Sequence, residues 1–154
     1  MKSLIDVTGT YANQGEIVVP LRNSPKHIAP LAGLLAGADI PRDVSTVQLS
    51  LRSAEVLEYV FLDLSHSMIG SGRLMKMEHR LSVNGESASF SRDHANSVEG
   101  GRSKSVQTVS LRRQPDGNLS VEIHISYRVR SLGVISYSGN DRAVYRFPGA
   151  KPKR

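Results

Sequence analysis

The sequence predicts an all-β domain, mainly an antiparallel meander of eight to ten strands rolled into a barrel or half-barrel, with one short N-terminal helix. A β-sandwich is the alternative. Three observations carry this. Leu119 to Arg130 alternates strictly: Leu119, Val121, Ile123, Ile125, Tyr127 and Val129 fall on one side, with Ser, Glu, His and Arg between them. Gln114-Pro115-Asp116-Gly117-Asn118 stands before it as a turn, and Val109 and Leu111 give the preceding strand an apolar side. Apolar runs elsewhere are short and punctuated by turn residues, as in consecutive hairpins. A sheet of that many strands must curl or fold over to hide its apolar face.

From the N-terminus, Val7, Gly9 and Tyr11 share one side of a short strand, and Ile17-Val18-Val19 forms a second, closed by Pro20. Residues 24–37 are the one good helix candidate. Ser24 can cap it, Pro25 suits its first position, and Ile28, Leu31, Leu34 and Leu35 recur at helical spacing before Gly37. Pro30 conflicts, so the helix starts either near Pro30 or after one loose turn. Val47, Leu49 and Leu51 face inward. Ser53-Ala54-Glu55 turns, and Val56 to Leu64, apolar on both sides, reads as a central strand. Residues 65–72 read as a loop. Met75, Met77, His79, Leu81 and Val83 alternate like a strand that ends at the hairpin signal Asn84-Gly85. Residues 93–105 are polar and read as the longest loop, a mobile one. After Gly133 come Val134 to Tyr137, a turn at 138–141, and a last strand through Phe147. Residues 1–148 make one domain; 149–154 is a basic tail expected to be disordered.

With 154 residues a single core is affordable without staples, and the chain has no cysteine, which excludes disulfides, thiolate metal sites and a thiol nucleophile. Met1 to Asp6 does not read as a secretory leader, because Asp6 interrupts any apolar core. The net charge of +6 is uneven. Residues 1–100 hold nine Lys/Arg and eleven Asp/Glu; residues 101–154 hold eleven and three. A basic C-terminal third attracts anionic partners: an acidic protein, phospholipid headgroups or nucleic acid.

Asp6-Val7-Thr8-Gly9-Thr10-Tyr11, then Asn13-Gln14-Gly15-Glu16, with Asp116-Gly117-Asn118-Leu119 and the ending Tyr145-Arg146-Phe147-Pro148, resembles the mature region of small bacterial envelope lipoproteins of unknown function. The Gly9-Thr10-Tyr11 opening is also similar to lipocalin-like (calycin) barrels, with Tyr11 where those carry a tryptophan. The lipid-accepting cysteine of the lipoproteins is missing. The resemblance implies a periplasmic or outer-membrane-associated location if a leader was removed, and otherwise the chain is cytoplasmic. It implies no reaction.

No catalytic constellation emerges and no cofactor or metal is expected. Asp93-His94 could orient an imidazole for hydrolysis, but no Gly-x-Ser-x-Gly elbow accompanies it. His79 beside Met75 and Met77 lacks a second histidine at ligand spacing. A non-enzymatic envelope-associated binding protein is therefore expected, taking a small apolar ligand or a protein partner. For an interior ligand the wall candidates are Tyr11, Met75, Met77, His79, Tyr127 and Tyr145. An interaction module of inhibitor or immunity type would use His94, Arg102, Lys104, Arg112, Arg128 and Arg130, with peripheral contact to an anionic membrane open to the same cations. Nucleic-acid binding is disfavoured, because no aromatics interleave the arginines.

Overall fold

The structure, a computed structural model, describes residues 7–22, 25–26, 28–37, 40–84, 87–98, 101–131 and 136–149, with the backbone alone for 95–98, 131, 136 and 137. It is all-β. The elements run β1 (Gly9–Ala12), β2 (Glu16–Val19), α1 (Leu31–Ala36), β3 (Thr46–Ser53), β4 (Val56–Leu62), β5 (Met68–Met75), α2 (Lys76–His79), β6 (Ser82–Asn84), β7 (Ser87–Val98), β8 (Gly101–Arg113), β9 (Leu119–Ser131) and β10 (Ser136–Phe147). They form two antiparallel sheets, β1-β3-β4-β5 and β2-β10-β9-β8-β7-β6, which do not close into a barrel. The arrangement is an open half-barrel or sandwich around one core.

That core takes Leu49, Leu57 and Phe61 from the smaller sheet, Phe90, Leu111, Val121 and Phe147 from the larger, and Leu31, Ala32, Leu34 and Leu35 from α1. Fully burying one such large side chain is worth about 1.5–3 kcal/mol. A six-residue helix cannot stand by itself, and α1 is held at both ends. Pro30 occupies its N-cap without a side-chain acceptor. Asn13 substitutes from outside: its carbonyl accepts the Leu31 amide at 2.9 Å and its Oδ1 accepts the Ala32 amide at 2.8 Å. Its Nδ2 donates to the Val44 carbonyl at 3.1 Å. At the other end Gly37 turns the chain with φ 87°, and the Arg92 guanidinium donates to the carbonyls of Leu34 and Leu35. The helix thus starts at Leu31, after Pro30, and Pro25 is not its first residue; Ser24 lies outside the described residues.

Several sequence expectations change. The two short N-terminal strands do not pair with each other: β1 pairs with β3, β2 with β10, and the chain crosses between sheets at buried Asn13. The stretch 65–72 is not a loop beyond Ser67, since β5 pairs along β4. Its glycines seat aromatic rings rather than turns. Gly70 lies opposite Phe61 and Gly72 opposite Tyr59, two rings stacked at 5.1 Å, and a Cβ at either glycine would press into the facing ring. The expected turn at 138–141 is likewise part of continuous β10, with Gly139 opposite the Tyr127 ring. Residues 75–83 are not one strand, because the chain turns helical at Lys76–His79 and Arg80 takes a left-handed φ of 55°. Gly149 belongs to the domain, bridging Tyr11 and donating to Asn118 Oδ1 at 3.0 Å. Residues 150–154 lie outside the described residues, as does Gly85 of the Asn84-Gly85 signal.

The segment 93–105 is the largest correction. It is the far half of a hairpin, β7 and β8 pairing from Ser87 with Arg112 to Val98 with Gly101 without a register shift. Strands of 12–13 residues extend about 40 Å, against about 25 Å for the seven or eight residues of β3–β5. The larger sheet therefore outruns its cover. On its inner side the row Phe90, Val109, Ile123, Ala143 is buried; the next, Arg92, Gln107, Ile125, Asp141, is mostly polar, with Ile125 still packed on the core and Asp141 buried; the row beyond, His94, Ser105, Tyr127, Gly139, is no longer core.

Candidate functional site

The turn between β8 and β9 sets the register of everything above it. Gly117 takes φ 90°, its amide donates to the Gln114 carbonyl at 2.9 Å, and Asp116 Oδ1 accepts the Asn118 amide at 2.9 Å. With that turn fixed, the outer face of the sheet is a series of rows. Nearest the turn are Arg112, Ser120 and Arg146. Then come Ser110, Glu122 and Val144, and after them Thr108, His124 and Arg142. Above them stand Val106, Ser126 and Asn140. At the far end Lys104 lies opposite Arg128, and Arg102 opposite Arg130.

Charge is matched low on this face. Arg142 donates to Glu122, Arg146 to Glu16, and Arg80 to Asp93 at 2.7 Å. The far end differs. Arg102, Lys104, Arg128 and Arg130 are all exposed and line one depression of about 220 Å³. No ion pair joins any of them to an acid among the described residues. An adjoining depression of about 390 Å³ shares Lys104 and Arg128 and adds Ser126, Ser138 and Asn140. Cations directly opposite each other repel. They also present up to five donors per arginine to an anion.

Of the six interaction candidates, the structure gathers Arg102, Lys104, Arg128 and Arg130. Arg112 shares their face but sits eight residues down the strand from Lys104, about 27 Å away. His94 lies on the opposite face, since neighbours in a strand point to opposite sides. That parity also separates it from Asp93, so the two form no acid–base pair; Asp93 is held by Arg80 instead.

The interior-ligand candidates do not converge. Tyr11 and Tyr145 are each 1% exposed and fill the core, Tyr11 donating its hydroxyl to the Val7 carbonyl at 2.8 Å. Burial pushes the Tyr145 hydroxyl, and that of Tyr59, above the ordinary tyrosine pKa. Met77 is 90% exposed on α2, Met75 is half-buried, and His79 Nδ1 accepts the Met75 amide at 3.0 Å. Tyr127 covers Gly139 above the mostly polar row.

A groove of about 660 Å³ lies elsewhere, between α1 and the inner side of β7 and β8. Ala29, Pro30, Leu34, Ala36 and Ile40 line it, with Arg92, His94 and Gln107. Only His94 among the sequence candidates borders it. Burial lowers the Arg92 pKa there, and its guanidinium is occupied by the α1 carbonyls.

Among the described residues no group of three or more His, Asp or Glu is placed to hold a metal ion, and no helix is long and apolar enough to cross a membrane. No protein-family model matches the chain, and neither a curated protein nor a solved structure matches it.

Proposed function

We propose that this chain is a non-enzymatic binding domain that docks an acidic partner protein on the far, cationic face of its larger sheet. One observation carries it: Arg102 opposite Arg130 and Lys104 opposite Arg128 put four cations together with no acid paired to them among the described residues. Such juxtaposition costs stability, and stability is commonly given up where a surface works. A cationic patch of this kind raises the association rate for a negatively charged surface and sets orientation. Around it stand Ser126, Ser138 and Asn140, which can bond an acidic or polar surface. Tyr127 borders the same depression, but strand parity puts its side chain on the other side of the sheet, so among the described residues no ring shares this face with the cations, which favours protein over nucleic acid. The resemblance of residues 6–16 to envelope lipoproteins supports an exported, envelope-associated setting.

The test is a titration of labelled poly-glutamate, a duplex oligonucleotide and phosphatidylglycerol vesicles against the wild type and the variant Arg128→Glu/Arg130→Glu. Poly-glutamate is expected to bind the wild type best, to weaken with salt, and to lose at least tenfold in the variant. Equal affinity for both proteins, or tighter binding of oligonucleotide or vesicles, overturns the proposal.

The groove beside α1 favours a second reading, the small apolar ligand. Its apolar lining with three polar groups at one side is the usual form of such a site. A fluorescent apolar probe should bind the wild type and be lost in Ile40→Glu; binding unchanged by that substitution ends this reading.

A further inference from the structure

The long strand beside the cationic face has an open edge. β6 pairs with β7 only from Ser87 to Ser89, and α2 packs beside β7 without pairing to it. From Phe90 to Val98, among the described residues, β7 pairs on the β8 side alone. In an antiparallel strand about half of those donors and acceptors face outward. Exposed edges are ordinarily blunted by proline, a bulge, shortness or outward charge. β7 has no proline and no register shift. Its charges are engaged, Arg92 with the α1 carbonyls and Asp93 with Arg80. Two other edges are guarded: β1 has four residues and a bridge to Gly149, and β5 pairs through a bulge at Phe61/Leu62. β10 pairs with β2 only from Val144 to Arg146, and beyond that Arg22 reaches across to donate to the Asn140 carbonyl.

Resting on the docking face proposed above, we propose that β7 from Phe90 to Val98 takes up an extended acidic segment of the partner as an added strand, in line with β6. Strand addition supplies main-chain hydrogen bonds, and side chains at every second position supply selectivity. The added strand would lie about 10 Å from β8, two inter-strand spacings away. Lys104 and Arg102 are in register with Ala95 and Ser97 of β7. They lie within reach of carboxylates at alternate positions of the newcomer. A second copy of this chain fits the edge poorly, since it brings a net charge of +6 and its own cations to the same place.

The probe is a synthetic peptide alternating glutamate with valine and threonine, with two forms N-methylated at alternate residues, one set or the other. Each form keeps the side chains and loses the donors of one edge. The parent peptide is expected to slow amide exchange at β7 residues 90–98, and one N-methylated form is expected to bind at least tenfold more weakly than the other. If the peptide binds and Arg128→Glu/Arg130→Glu abolishes it, yet β7 exchange is unchanged and both methylated forms bind alike, strand addition is wrong and the docking face stands. If neither this peptide nor poly-glutamate binds, both proposals fall.

Discussion

Reversing one cation in each facing pair, Arg102→Glu with Lys104→Glu, should make the protein more stable while removing the proposed affinity for acidic partners. Two unit charges about 6 Å apart in water interact by about 0.7 kcal/mol. Each substitution replaces a repulsion of that size by an attraction, so two pairs change by about 3 kcal/mol before screening. Ionic strength near 0.1 M, with a Debye length of about 10 Å, roughly halves this. Splaying of exposed side chains reduces it further, since measured exposed pairs give about 0.2–1 kcal/mol each. The expected gain is about 1 kcal/mol at low salt, a rise of about 2–4 °C in Tm for a domain of this size. Urea unfolding at low and at molar salt measures it, and the gain should vanish as the Debye length falls to about 3 Å. A variant no more stable than wild type at low salt would show that the four cations do not repel in the folded chain, and would remove the main support for a docking face.

Other outcomes follow from the core. Asn13→Ala should lower stability by about 2–4 kcal/mol, because it strips partners from the buried Ala32 amide and Val44 carbonyl; denaturant midpoints read this directly. Gly72→Ala should cost more than Gly139→Ala, since the Tyr59 ring is stacked on Phe61 while Tyr127 can swing toward solvent; both are measured by thermal unfolding. In an alkaline ultraviolet titration, Tyr59 and Tyr145 should ionise above the ordinary tyrosine value. Their hydroxyls hold the proton more tightly when folded. The associated stability is therefore present below about pH 10, the unfolded value, and is lost as pH rises through the folded values.

The alternation of Leu119 to Arg130 and the turn at 114–118 were both legible, and together they dictate the site. Once Gly117 closes that turn, residue numbers summing to 232 face each other, which sets Arg102 against Arg130 and Lys104 against Arg128. What hid the site was the neighbouring stretch 93–105. Its far part is polar at nearly every position, so no hydrophobic period marks it as strand; main-chain pairing to β8 holds it there. Glycine misled for a second reason. Gly70, Gly72 and Gly139 look like turn residues in one dimension, and only the register shows each beneath an aromatic ring. Met77 and His79 alternate with polar neighbours as a strand would, but a single helical turn produces the same short pattern.

The mostly polar row of Arg92, Gln107, Ile125 and Asp141 divides β7–β10 into two lengths of unequal tenacity on unbroken backbones. Below it, an amide escapes only when the greasy interior opens; above it, solvent reaches both sides and fraying is cheap. A melting curve followed through interior tyrosines will therefore say little about the segment proposed to meet a partner. Residue-resolved exchange is the appropriate instrument for this protein, because a ligand that clamps the far segment can leave the global transition almost where it was.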